Sequence, residues 1–277
     1  MLNALSVDIE EWFQVGAFER TIDRADWDTL ESRVAANTGA VLDLFAAAGV
    51  KGTFFTLGWV AHRHPALIRR IVAEGHELAS HGWDHQRVFT FTPDQFRADL
   101  ARARAALEDA GGVAVTGYRA PSFSIDTRTP WAHPILAEDG YTYSSSVAPI
   151  THDHYGWVDA PRTAHRPLPD APLIELPITT MAVLGKEVTA GGGFFRLLPG
   201  RLTDGAVRAA NARGAPAVFY FHPWEVDPGQ PRVRNAPLKS RLRHYARLGA
   251  MAGKLERLVR RHEWGRVDAV VAAAKLA

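Results

Sequence analysis

Short apolar runs recur along this 277-residue chain, and four of them stop abruptly at an acid, a histidine or an arginine. Leu2–Val7 runs into Asp8, Glu10 and Glu11, and Glu77–Ser80 into His81 and His85. Val113–Tyr118 runs into Arg119, and Ala217–Phe221 into His222. Gly52–Leu57 and Tyr141–Val147 read as two further strands. Between these runs lie segments of helical periodicity: Leu30–Ala48, His64–Glu74, a helix capped by Thr92 and ending at Ala110, Trp131–Glu138 and Leu202–Arg213. Strands alternating with helices build a parallel sheet. Six or seven such units predict a closed or nearly closed α/β barrel, and ligands reach such folds at the carboxyl ends of the strands.

Two stretches depart from this rhythm. Residues 148–193 are rich in Pro, Gly and His, with Leu173–Leu176 and Met181–Leu184 as short strands. Leu238–His262 reads as one long helix with Leu238, Leu242, Tyr245, Leu248, Leu255 and Leu258 on a stripe. No repeat or linker divides the chain. The expectation is one domain over 1–277, with residues 231–277 as a helical extension packed on it.

Composition narrows the chemistry. A formal net charge of +2 gives no reason to expect nucleic acid, and the absence of Cys excludes thiolate metal sites and a cysteine nucleophile. The amino terminus has no basic segment followed by an apolar stretch, which leads us to expect a cytoplasmic protein.

Side chains alternate along a strand, so Asp8 and Glu10 address one point while Glu11 faces away. His81 and His85, four apart, suit one helical turn, with Asp84 as a possible orienting partner. His222 leaves a strand too apolar to be exposed and is pinned by Pro223. Arg119 beside a buried carboxylate would hold that group ionised. Each signal alone has a plainer reading: an acidic loop, a surface histidine pair, a core histidine, a salt bridge. Together, two histidines and a carboxylate form a zinc-type set with an open position. A second carboxylate and a third histidine remain for base and acid.

The order and context of these segments resemble the polysaccharide deacetylases of carbohydrate esterase family four, from Leu5 to about Trp224. Asp8 with Glu10, Ser80-His81-x-x-x-His85, Arg119-x-Pro121 and Phe221-His222 stand where that family has its motifs, as do Gly52-Thr-Phe-Phe55 and Gly75-His-Glu-Leu78. His152–Tyr155, Gly191–Phe195 and Phe221–Glu225 are similar to a bacterial branch associated with exopolysaccharide and exosortase gene clusters. The resemblance implies a distorted (β/α)7 TIM-like barrel and a metal-dependent N-deacetylase. It implies Zn²⁺, or another divalent ion, on Glu10, His81 and His85, with Asp8 as base, Arg119 supporting it and His222 as acid. Pro121, Trp83, Tyr143, Phe194 and Trp224 are the expected substrate contacts. Ile9 separates the two acids that usually adjoin, which leaves Glu11 a lesser alternative to Glu10. Ser144 stands where an aspartate usually tunes the acid histidine, so Glu225 or Glu175 must substitute. The expected partner is a polysaccharide or oligosaccharide. Arg241, Arg243, Arg247, Arg257, Arg260 and Arg261 leave room for weak membrane-surface association. Hydrolysis of another amide, or glycan binding without catalysis, are the competing readings.

Overall fold

A computed structural model describes residues 1–151 and 156–274, so the His152–Tyr155 segment lies outside the described residues. The strands are β1 (Asn3–Ile9), β2 (Thr53–Thr56), β3 (Glu77–Ser80), β4 (Gly117–Tyr118), β5 (Tyr143–Ser144), β6 (Ile174–Glu175), β7 (Thr180–Val183), β8 (Lys186–Thr189), β9 (Val218–Phe221) and β10 (Trp264–Gly265). The helices are α1 (Val34–Ala48), α2 (Gly58–Arg63), α3 (Pro65–Ala73), α4 (Pro93–Gly111), α5 (Ala132–Glu138), α6 (Gly192–Leu197), α7 (Gly200–Ala212), α8 (Leu238–Tyr245), α9 (Leu248–Arg261) and α10 (Val267–Ala273).

Strand order is β9-β1-β2-β3-β4-β5-β6, with every adjacent pair parallel. The sheet curls into a distorted barrel of the expected kind. Past β6 the chain turns back toward β9, where the Thr179 amide donates to the Val218 carbonyl at 3.2 Å. Because all seven strands point the same way, their carboxyl ends gather at one mouth.

Alternation along the strands sorts two cores. Leu5, Val7 and Ile9 of β1, Phe54, Leu78, Phe219 and Phe221 face outward and pack with helix residues such as Val41, Phe45, Leu255 and Leu258. Ala4, Phe55, Ala79, Tyr143 and Tyr220 fill the barrel interior. Ser6, Asp8 and Glu10 continue that interior face upward, which is why the buried polar residues of β1 end at the mouth.

Helix α4 shows how local sequence sets an element. Thr92 and Gln95 form a reciprocal cap, Pro93 occupies the first turn, and Gly112 ends the helix in a left-handed conformation (φ 65°).

The structure revises several readings. The long helix over Leu238–His262 is two helices, broken where Arg247 adopts φ 60°. Its stripe is therefore discontinuous: Leu248, Leu255 and Leu258 are buried, whereas Leu238 and Leu242 are 66% and 63% exposed. The terminal segment is also more than helical, since β10 pairs in parallel with β1 at Asn3 and Ala4. The Gly191–Phe195 segment opens α6, with Gly191 at its N-cap. Met181–Leu184 is strand β7 up to Val183, half of a hairpin with β8. No helix among the described residues is long and apolar enough to cross a membrane.

Candidate active site

The mouth of the barrel holds a cavity of about 310 Å³ with Asp8, Glu10, His81, His85 and His222 in its lining. That volume is within the range of small-ligand sites.

Glu10, His81 and His85 offer ligand atoms that all lie within 4.8 Å of one another. No helical turn joins the two histidines. Residues 81–87 form a loop in which Gly82 and His85 take positive φ (75° and 63°), and this bend brings the imidazole centroids to 5.6 Å. His81 Nδ1 lies 2.8 Å from the Arg119 carbonyl oxygen, which can only accept. The proton therefore sits on Nδ1 and the Nε2 lone pair is kept for a ligand. Burial pushes His81 down to about 4, which keeps it neutral. Asp84 does not orient an imidazole; it pairs with Arg24 on the surface.

Glu10 is held from the other side. Burial opposes its ionisation, yet His85, His222 and His81 around it keep its carboxyl well below the usual range. Its Oε1 accepts from Trp224 Nε1 at 3.0 Å. Its Oε2 is buried, lies 2.8 Å from His85 Nε2 and has no hydrogen-bond partner. A carboxylate oxygen and an imidazole nitrogen this close, beside a third donor atom from His81, suit a divalent cation. Glu11 is no alternative ligand. Its carboxylate accepts from the Arg33 and Val34 amides (3.0–3.2 Å) and caps the start of α1.

Asp8 Oδ1 accepts from Arg119 Nη1 at 2.7 Å. Arg119 is fully buried and also donates to Ser6 Oγ (2.8 Å), the Ser145 carbonyl (3.0 Å) and Ser145 Oγ (2.9 Å). Its guanidinium lies over the Phe55 ring, 4.1 Å from the centroid.

His222 faces Asp8 and Glu10 from the end of β9. Its Nε2 is 3.7 Å from Glu10 Oε1, and its Nδ1 is 3.2 Å from Glu225 Oε2. Burial opposes a charge here, but Glu10 and Glu225 outweigh it and push the imidazole up to about 9. Of the two acids expected to stand in at Ser144, Glu225 is the one in place. Glu175 is remote from His222: it accepts from the Ser146 and Val147 amides and meets His133. Glu225 in turn is held by Arg196 of α6 at 2.9 Å, both side chains being buried. In the sequence Arg196 reads, with Phe194 and Phe195, as part of a segment that closes over a sugar ring, and nothing there pairs it with Glu225.

The expected substrate contacts divide. Phe194 and Trp224 line the cavity. Trp224 is stacked with His222 (centroid 5.1 Å) and His244 (4.3 Å). Its role in this arrangement is to fix Glu10. Trp83 lies outside the cavity lining, packed close to Gly58 with Arg102 over its ring at 3.6 Å. Pro121 is buried behind the wall that Ser122 and Phe123 present. Tyr143 points to the far end of the barrel, where its hydroxyl donates to Glu77 at 2.8 Å. These three are structural neighbours of the site, not contacts.

Residues 21–144 match the family model described as polysaccharide deacetylase, and residues 145–272 match one described as a domain of unknown function (DUF3473). The chain is 33% identical over 84 residues to the peptidoglycan-N-acetylglucosamine deacetylase PgdA of Listeria monocytogenes, covering 30% of this chain and 18% of that protein. It is 31% identical over 130 residues to a chitooligosaccharide deacetylase of Bradyrhizobium, covering 47% and 53%. It thus spans only part of the length of these relatives. Among solved structures, a Mycobacterium smegmatis protein classed with the polysaccharide deacetylases superposes with a TM-score of 0.63 at 24% identity, covering 99% of this chain and 91% of that one. The PuuE allantoinase superposes with a TM-score of 0.63 at 16% identity, over 97% and 88%. These two likenesses show the fold.

Proposed function

We propose that this chain, which belongs to the polysaccharide deacetylase family, is a metal-dependent hydrolase of N-acetyl groups on N-acetylhexosamine units of a bacterial exopolysaccharide or its precursor. The observation that carries this reading is the convergence of Glu10, His81 and His85 with Asp8 on one side and His222 on the other, around one cavity. Asp8, Glu10 and His222 lie outside the segment that matches the deacetylase model, so the geometry supports the reading independently of that match.

Glu10, His81 and His85 would hold a divalent cation, Zn²⁺ by its ligand types, which when bound polarises an acetamide carbonyl and makes water nucleophilic at neutral pH. Asp8 is placed to take the proton from attacking water. Arg119 holds its carboxylate in one orientation and leaves Oδ2 for that task. His222, kept protonated by Glu10 and Glu225, gives its Nε2 proton to the departing amine. Without that proton the amine is a poor leaving group and the amide re-forms. Acid or base assistance of this kind is worth roughly 10²–10⁴-fold each. Phe194 and Phe123 give the cavity an apolar wall for the acetyl methyl and sugar face.

Acetate release from N-acetylglucosamine oligomers by cation-loaded and chelated protein tests the reading, with Asp8→Asn as control. Release that survives both chelation and the substitution would overturn it.

A further inference from the structure

Helix α8 inverts the usual arrangement of an amphipathic helix. Its leucines, Leu238 and Leu242, face water, and its buried residue is His244. An imidazole there costs more to bury than a leucine would, unless its ring nitrogens are used. Nε2 of His244 lies 2.7 Å from Oε1 of Gln230, which is also buried. The side-chain amide of Gln230 donates to the Trp224 and Asp227 carbonyls (2.9 and 3.0 Å). Its oxygen is therefore the atom left to accept, and His244 carries a proton on Nε2. The next residue fastens the same stretch, since the Tyr245 hydroxyl accepts from the Val233 amide at 2.8 Å and donates to the Pro231 carbonyl at 2.9 Å. Arg196 donates to the backbone carbonyl of Arg243 at 2.6 Å, which ties the end of α8 to α6.

His244 is thereby set flat against Trp224, with ring centroids 4.3 Å apart and planes 16° from parallel. Phe18 meets the imidazole at 4.5 Å. Trp224 is in turn near-parallel to His222, at 5.1 Å and 19°. The Trp224 indole donates to Oε1 of Glu10 at 3.0 Å, and Oε2 is the oxygen that remains beside His85. A hydrogen bond orients a carboxylate only as firmly as the donor is itself held. The direction of the indole N–H follows the plane of its ring, and the ring's neighbours set that plane.

We infer that His244, held by Gln230, is a positioning residue for the cation site: through the face it lays on Trp224 it fixes Glu10 in the orientation that ligates. This deepens, and rests on, the reading of Glu10, His81 and His85 as ligands. Trp224, Gln230 and His244 all belong to residues 145–272, so the segment matching a domain of unknown function supports a ligand carried at the end of β1.

Zn²⁺ affinity, measured by competition with a chromogenic chelator, needs neither substrate nor turnover. The wild type is compared with His244→Ala, His244→Phe, Trp224→Phe and the double variant Trp224→Phe/His244→Ala. Trp224→Phe keeps a ring but removes the N–H, and His244→Ala removes the ring behind it. Each should weaken Zn²⁺ binding by roughly 10–100-fold, the usual cost of losing a partner that orients a ligand. Because both act through one hydrogen bond, the double variant should bind no more weakly than the weaker single variant. His244→Phe returns a flat ring to Trp224 and should recover most of the affinity that His244→Ala loses. Urea unfolding in chelator separates lost ligation from lost fold: His244→Phe should be less stable than the wild type, because the Gln230 oxygen is stranded, yet retain Zn²⁺. If His244→Ala does not fold, His244→Leu, which fills the space without a flat face, replaces it in the cycle. Losses that multiply in the double variant, an unchanged affinity without the His244 ring, or no recovery in His244→Phe overturns the inference. Acetate release from N-acetylglucosamine oligomers is measured in parallel. Release by the wild type with Zn²⁺ affinity indifferent to His244 sinks this inference alone; coupled losses of affinity with no acetate from any oligomer sink the hydrolase reading alone. A wild type that binds no Zn²⁺ sinks both.

Discussion

Glu225 Oε2 lies 3.2 Å from Nδ1 of His222, and the other oxygen of the same carboxylate lies 2.9 Å from Arg196 Nη1. His222 directly follows β9, Glu225 lies in the next turn and Arg196 in α6, all three outside the deacetylase-matched segment. Burial alone would lower the pKa of His222. Glu10 and Glu225 reverse the sign and leave it a cation at neutral pH.

The first prediction follows from that reversal. An acid catalyst loses activity as pH rises through its pKa, so replacing Glu225 by Gln should move the alkaline limb of the kcat profile to lower pH. The rate at neutral pH should fall roughly 10–100-fold, the usual loss when a partner that orients and polarises a site histidine is removed. A pH–rate profile measures both. An unmoved limb with a reduced plateau would make Glu225 a packing residue only.

Arg119 and Asp8 make the second case. Both are buried and their pair is 2.7 Å long, so removing one partner strands the other. Arg119→Met should destabilise the fold by about 3–5 kcal/mol, and Arg119→Met/Asp8→Asn by clearly less, because the stranded charge is gone. Urea unfolding of the wild type, both single variants and the double variant gives the coupling. Additive losses would mean that the pair contributes nothing beyond its separate contacts.

How much of this was readable beforehand depends on distance along the chain. Asp8, Glu10, Arg119 and His222 each end an apolar strand, and parallel strands deliver their ends to one place; period-two alternation therefore located them. His81 and His85 were found for an incorrect reason, since the fold joins them through left-handed backbone at Gly82 and His85 and not through a helical turn. Tyr143 and Trp83 were misassigned because an aromatic beside a motif looks the same whether it faces the cavity or the barrel interior. The pairing of Arg196 with Glu225 was invisible. Its importance comes only from the packing of α6 against the turn after β9, a contact that no local pattern encodes. Leu238 and Leu242 looked like core because spacing cannot reveal that Arg247 breaks the helix and redirects its first half.

Asp99, behind the loop that carries His81 and His85, gives a third prediction. It accepts from the Trp83 amide at 3.2 Å, while burial and nearby Asp84 push its carboxyl up to about 7. The folded state therefore binds this proton more tightly than the unfolded chain. Stability from this group is complete below an unfolded carboxyl pKa near ~3.9 and is lost as pH climbs through about 7. Asp99→Asn keeps an acceptor for Trp83 and abolishes the titration. Its melting temperature should change less between mildly acidic and neutral pH than that of the wild type. Parallel curves for the two proteins would refute the assignment.

The last prediction concerns the cation set. Glu10, His81 and His85 are drawn together in the folded chain, whereas in the unfolded chain Glu10 lies some 70 residues before the histidines in sequence, so a cation that all three ligate binds only the native state. Such binding stabilises by RT ln(1 + [L]/Kd), or about 2.7 kcal/mol at a hundredfold excess over Kd. Adding Zn²⁺ to chelator-treated protein should therefore raise the melting temperature by several degrees, and His85→Ala should abolish most of the rise. Glu11→Gln is the discriminating control. Glu11 caps α1 and touches none of the three, so that variant should begin from a lower melting temperature yet show the full Zn²⁺-dependent increment. An increment lost in Glu11→Gln and kept in His85→Ala would place the cation elsewhere.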